Sequence, residues 1–203
     1  MTIQRTNKRG FTIVELLVAS ALLLVLSGSL LAVVKVTRDR FFRVNTLLEM
    51  EENLFLAANF LSEDLGLGNA GAVEVLEDNV ISFLHPFDID GQLLSQNDGS
   101  LEWGVGVAYY KEAMGDENLL IRQTESLANP VSQPLKLSSF DPPLGTNFFT
   151  SGSGKKRKIA SGLESLSVSA IDNRRVEFSL ELLGLVNGRR HGVQVSQRVF
   201  CRN

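Results

Sequence analysis

Hydrophobic and polar positions divide the chain into three stretches. Residues 11–34 read FTIVELLVASALLLVLSGSLLAVV and carry a single charge, Glu15. A helix of that length, rising about 1.5 Å per residue, covers about 36 Å, enough for a hydrocarbon core about 30 Å thick. After residue 34 the period changes. Val33, Val36, Val44, Leu47, Leu48, Leu54, Ala58, Leu61 and Leu65 recur at three- and four-residue steps, with Arg38, Asp39, Arg40, Arg43, Glu49, Glu52 and Glu63 mostly between them. This is the pattern of an amphipathic helix. No proline interrupts it, and Gly66 and Gly68 punctuate its end. One helix is therefore predicted over about 11–65, transmembrane over 11–34 and amphipathic over 35–65. Its only interior irregularity is Ser27-Gly28-Ser29, a local weak point or a place for close helix packing.

The third stretch, residues 66–203, lacks long helical patterns. Short apolar runs at 73–76 and 80–84 flank Glu77-Asp78-Asn79, and runs at 105–111 and 119–124 flank Gly115-Asp116-Glu117-Asn118. Residues 163–170 read as a further strand. Val176-Glu177-Phe178-Ser179-Leu180 alternates, as do Val193, Val195 and Val199 with Gln194, Ser196 and Arg198. Between these last two runs lies Asn187-Gly188, a strong hairpin signal. Residues 125–162 hold four prolines (Pro130, Pro134, Pro142, Pro143) and then Ser151-Gly152-Ser153-Gly154. They are expected to form a long irregular connection with a mobile basic tip at Lys155, Lys156, Arg157 and Lys158. The predicted class is α+β: a long N-terminal helix with an antiparallel, hairpin-rich sheet packed on its C-terminal half, arranged like a lollipop.

Charge sharpens the division. The chain of 203 residues carries a formal −3. Residues 1–10 hold Arg5, Lys8 and Arg9 and no acid, so without them Lys+Arg falls from 20 to 17 while Asp+Glu stays at 23. The remainder is acidic, which argues against nucleic acid as a partner. Basic residues before the span and acid-rich sequence after it predict a cytoplasmic N-terminus and a periplasmic or extracellular head. A secretory signal peptide explains this less well, because its apolar stretch is shorter and ends in a small-residue cleavage site.

Lys8-Arg9-Gly10-Phe11-Thr12-Ile13-Val14-Glu15-Leu16 resembles the prepilin cleavage and methylation motif of type IV pilins and type II secretion pseudopilins. The resemblance implies cleavage between Gly10 and Phe11 by a membrane peptidase, which also methylates the Phe11 amine. Residues 1–10 would then be a leader peptide. A charged group inside a spanning helix also suggests function on its own account. The resemblance implies that Glu15 pairs with the Phe11 amine of a neighbouring subunit during assembly. In the head, Leu61-Ser62-Glu63-Asp64-Leu65, Asn69-Ala70-Gly71, Val107-Ala108-Tyr109-Tyr110, Leu119-Leu120-Ile121-Arg122 and the closing Arg198-Val199-Phe200-Cys201-Arg202-Asn203 resemble the W-type minor pilins and J-type minor pseudopilins.

Other candidate chemistry is sparse. His85 and His191 have no nearby cysteine and no helical spacing, so His85 is expected to be a satisfied core or loop histidine. No nucleophile elbow is present, and no enzyme activity, cofactor or metal site is expected. The run from Lys155 to Lys158 is read as a solvated loop, with nucleic-acid phosphate contact as the weaker alternative. Asp88, Asp90, Asn97 and Asp98 around Gly91 and Gly99 depart from EF-hand order and read as two Asx-Gly turns. Cys201, the single cysteine, is expected to be a buried small hydrophobe. The resulting expectation is a non-enzymatic minor pilin or pseudopilin that helps prime or cap a filament. Its partners would be the prepilin peptidase, other pilins or pseudopilins, and the inner membrane. The alternatives are a tip adhesin or DNA-binding module on the same scaffold, and a signal-anchored domain with no filament role.

Overall fold

The computed structural model describes residues 12–76, 80–88, 90–141, 143–150, 154–186 and 188–201. Helix α1 spans Ile13–Leu67, 55 residues without a break. Ser27-Gly28-Ser29 therefore does not interrupt it. In its apolar first half, the Ser20 and Ser29 hydroxyls donate to the Leu17 and Leu26 carbonyls at 2.9 and 2.8 Å. Both hydroxyls are thus satisfied inside their own turn, as hydrocarbon surroundings demand. The helix ends two residues beyond the predicted Leu65. There the Gly68 N–H donates to the Asp64 and Leu65 carbonyls.

By internal packing the chain falls into two units, residues 1–46 and 47–203. In the first, the helix is exposed on all sides. It is the one helix, among the described residues, long and apolar enough to cross a membrane.

The second unit holds the end of α1 and two antiparallel sheets. Five strands pair in the order β1-β2-β3-β4-β5: Glu74–Val75, Ile81–His85, Trp103–Met114, Glu117–Val131 and Lys155–Ser161. Three more pair in the order β6-β7-β8: Leu163–Asp172, Arg175–Val186 and Arg189–Phe200. The α+β class is as predicted, with antiparallel sheets packed against the helix. Leu54, Ala57, Ala58, Leu61 and Leu65 of α1 are buried against Ile81, Phe83, Val107 and Tyr109 of the first sheet and Phe178, Leu180 and Leu182 of the second. Each fully buried leucine contributes about 1.5–3 kcal/mol. The other face of the first sheet is covered as well, where Leu84, Trp103 and Ala108 pack with Leu137 and Phe149. Helix α2 (Thr146–Thr150) supplies part of that cover. Strand β2 is accordingly buried at every position, which explains why its sequence does not alternate.

The expected irregular stretch 125–162 is corrected at both ends. Strand β4 continues to Val131, because Leu127 is buried in the second cluster and β3 extends back to Trp103 to pair with it. Strand β5 begins at Lys155, so the basic run lies in a strand paired with β4 rather than on a mobile tip. Only Gly162 separates β5 from β6 as the chain passes from one sheet to the other. Its φ is +75°, and a Cβ there would collide with the Leu183 carbonyl oxygen. The Asn187-Gly188 signal also falls where predicted. Val186 pairs with Arg189 across the tip of the β7–β8 hairpin, and Gly188 has φ +74°.

Candidate functional site

Gly10 and Phe11 lie outside the described residues. The site begins for this structure at Thr12, and Glu15 is tied to it by three hydrogen bonds. The Thr12 backbone N–H and hydroxyl both donate to Glu15 Oε2, at 2.9 and 3.0 Å, and the Glu15 N–H donates to the Thr12 hydroxyl at 3.2 Å. This is a capping box: two residues satisfy each other's otherwise unpaired donors at the start of a helix. Its sequence signature is Thr-x-x-Glu before an apolar run. All the bonds that Glu15 accepts from Thr12 fall on Oε2. Downstream, Ile13, Leu16, Leu23, Leu24, Leu30 and Leu31 are all exposed, giving the start of the chain an apolar surface on every side.

The head contains a second polar constellation, which sequence reasoning did not assemble. Asp64 in the last turns of α1 accepts from Arg122 Nε at 2.5 Å and Nη2 at 3.2 Å. The Tyr109 hydroxyl donates to the same carboxylate at 2.6 Å. A ring nitrogen of His85 lies 3.3 Å from the Asp64 carbonyl oxygen. Strands β2, β3 and β4 thus each send one side chain to a single helical turn. Burial pushes the Tyr109 hydroxyl pKa well above its ordinary value, and the Asp64 charge adds to the effect. Burial lowers the pKa of His85, with the Asp64 charge opposing. For Arg122 burial works against the charge, but the bonds to Asp64 outweigh it and its pKa is raised. The arrangement holds a helix to a sheet. The available signal was an Asp inside the apolar helical stripe, one residue before Leu65.

The other candidates have these surroundings. Lys155 Nζ reaches Asp90 at 3.0 Å, Lys156 Nζ reaches Glu112 at 2.6 Å, and the Arg157 guanidinium lies 4.6 Å from the Phe60 ring centroid. Lys158 is exposed on the same strand. Asp88 accepts from the N–H groups of Asp90 and Gln92, and Asp98 from the N–H and hydroxyl of Ser100. Gly91 and Gly99 have φ of +85° and +83°. These are the two expected Asx turns. Cys201 is buried among core side chains, and desolvation pushes its thiol up to about 11.

A family model described as "Prokaryotic N-terminal methylation motif" matches residues 5–31. The chain carries a prepilin-type N-terminus. The match supports a type IV pilin-like or pseudopilin subunit, a structural rather than enzymatic kind of protein. It implies processing by a prepilin peptidase and assembly with other pilins. The apolar helix that begins within the motif fits a membrane-anchored pilin. Comparison with curated proteins and with solved structures returned no match.

Proposed function

We propose that this chain is a minor pilin or pseudopilin that helps initiate, prime or cap a type IV pilus or type II secretion-type filament. Residues 1–10 are a leader removed between Gly10 and Phe11, and the Phe11 amine is then methylated. Residues 11–34 hold the chain in the inner membrane with its N-terminus cytoplasmic. Residues 35–65 continue the helix, and residues 66–203 form a periplasmic head that is later carried to the filament tip or cell surface. The observation that carries the reading is the continuity of α1. The helix begins at Ile13, inside the matched residues 5–31, and runs without interruption past Asp64 to Leu67. A cleaved signal peptide needs no such continuity. The minor rather than major role rests on the resemblance of the head segments to W-type and J-type proteins.

Within this reading Glu15 has two tasks. It caps its own helix through Oε2, and it pairs with the Phe11 amine of a neighbouring subunit. A substitution series separates them. Glu15→Gln keeps a side chain able to complete the capping box but removes the charge. Glu15→Ala removes both. If the charge pairs between subunits, both variants are cleaved normally and both are lost from the filament, which mass spectrometry of the mature N-terminus and immunoblotting of sheared filaments would read. Normal incorporation of the Gln variant would sink the pairing role.

A further inference from the structure

The two sheets present four edge strands, and three of them are blunted. Strand β1 is two residues long. Strand β5 carries Lys155, Lys156, Arg157 and Lys158 and is broken from β4 by a register shift after Leu120. Strand β6 has register shifts at both ends, and its Glu164 carbonyl accepts from Lys111 Nζ at 3.1 Å. Shortness, lysines and bulges are the devices that keep sheet edges from recruiting foreign strands.

Strand β8 has none of them. It pairs with β7 in twelve consecutive positions without a shift, and it contains no proline and no lysine. At about 3.4 Å per residue it offers an edge about 40 Å long. The central stretch 192–197, Gly-Val-Gln-Val-Ser-Gln, carries no charge. Which backbone groups face outward follows from the pairing. The Cys201 N–H donates to the Arg174 carbonyl at 2.8 Å, one step beyond the Arg175–Phe200 pair. Odd-numbered residues of β8 therefore bond to β7, and even-numbered ones point away. Among the described residues, Arg190, Gly192, Gln194, Ser196 and Arg198 make no backbone hydrogen bond beyond that ladder. The far end of the strand is less open, because the Phe200 carbonyl lies beside Gly66 of α1.

Charge selects among occupants. Arg190 and Arg198 flank the neutral centre with exposed side chains, and no acid lies on β8; Arg198 Nε also bonds Glu177 of β7 at 3.1 Å, in an ion pair open to solvent from which the guanidinium can reach a second acid. A second copy pairing β8 with β8 antiparallel would bring Arg189 and Arg190 opposite the Arg198 end, and like charges across a ladder destabilise it. An extended strand with acids eight residues apart meets both arginines.

We propose that β8 is a strand-addition site, taking an acidic extended segment of another polypeptide along residues 190–198. Main-chain bonds supply the affinity, and the terminal arginines supply the choice of partner. This goes beyond the filament role and does not depend on it.

The test uses the full chain in detergent micelles and a labelled peptide, Glu-Val-Thr-Val-Thr-Val-Thr-Val-Glu, read by fluorescence anisotropy. A second peptide carries Lys in place of both Glu. The acidic peptide is expected to bind at least about tenfold more tightly than the basic one, a difference of about 1.4 kcal/mol. It should also slow amide exchange at Gly192, Gln194 and Ser196. Gln194→Pro removes an outward N–H and no backbone bond to β7, and the side-chain bond from Gln194 Nε2 to Ser179 Oγ is lost equally in Gln194→Ala; the proline should therefore weaken binding by about tenfold while the alanine stays within about twofold. Should the proline variant misfold, as judged by Trp103 fluorescence, the double reversal Arg190→Glu with Arg198→Glu serves instead and should invert the preference. Equal binding of the two peptides, or a preference unchanged by charge reversal, overturns the proposal. Concentration-dependent self-association that protects the same amides without peptide overturns it too, in favour of a second copy.

Discussion

Replacing Arg122 by methionine removes the cation bonded to Asp64, the only one among the described residues, and leaves a carboxylate whose side chain is just 12% exposed. Removing one partner of a fully buried ion pair costs about 3–5 kcal/mol, because the survivor stays desolvated and unpaired. Two features bring the figure down here. Arg122 itself is 24% exposed, so water reaches the vacated side. The Tyr109 hydroxyl continues to donate to Asp64 Oδ2. About 2–3 kcal/mol is expected. Trp103 is the single tryptophan and is buried in the head, so its fluorescence reports unfolding of the second unit. With a urea dependence of about 2 kcal/mol per molar, the midpoint should fall by about 1–1.5 M.

The double variant Asp64→Leu with Arg122→Met makes the argument refutable. If the single variant suffers from an orphaned charge, removing that charge as well should recover most of the loss, since apolar replacement of a buried pair is often neutral or better. Tyr109 then keeps an unpaired hydroxyl, so recovery should stop about 1–2 kcal/mol short of the parent. Adding Tyr109→Phe should close that remainder. A midpoint within about 0.3 M of the parent for Arg122→Met would refute the reasoning. So would a double variant as unstable as the sum of its two singles.

Two further outcomes follow from the same packing. His85 has a folded pKa lowered below its ordinary value, so the unfolded state binds its proton first; stability is full above pH about 6.5 and falls as the pH drops through the folded value, a slope that His85→Gln should flatten in urea titrations run from pH 7.5 to 5. Gly162→Ala should cost about 2–4 kcal/mol, combining a left-handed φ with collision against the Leu183 carbonyl, whereas Gly188→Ala, with φ +74° and open space around it, should cost only about 1 kcal/mol; equal midpoints for the two variants would refute the steric account.

What was legible in the chain was whatever periodicity or short-range chemistry encodes. An unbroken apolar run followed by a three-and-four spacing predicts α1 to within two residues of its end. Asn187-Gly188 and the alternation on either side predict the β7–β8 hairpin, because turn type and register are local properties. The basic run was misplaced for an equally physical reason. Lys155, Lys156 and Lys158 have low strand propensity, and Ser-Gly repeats precede them. Yet their pairing with Thr124, Gln123 and Ile121 is a property of β4, distant in sequence. Asp64 and Arg122 were both noticed as parts of a resemblance, but a bond across 58 positions leaves no mark in either neighbourhood. The Thr12–Glu15 cap is different: its signal, a Thr three residues before a Glu at a helix start, is local.

Helix α1 satisfies its polar groups in two ways, and the change between them follows from what surrounds each part. From Thr12 to Thr46 four side chains bond within one turn. Glu15 bonds to Thr12, Ser20 to Leu17, Ser29 to Leu26 and Thr46 to Phe42. The serine hydroxyls so arranged need no partner in hydrocarbon. Asp64 obeys the opposite rule. Its carboxylate has no partner in its own helix and is satisfied only by β3 and β4. The first part can therefore change its surroundings, from lipid to the helices of other subunits, without breaking an internal bond. The second part cannot leave its sheet without exposing a buried charge network. Under the function proposed above, a subunit passing from membrane to filament would use both behaviours in one helix, one part free to exchange its apolar neighbours and the other fixed to its head.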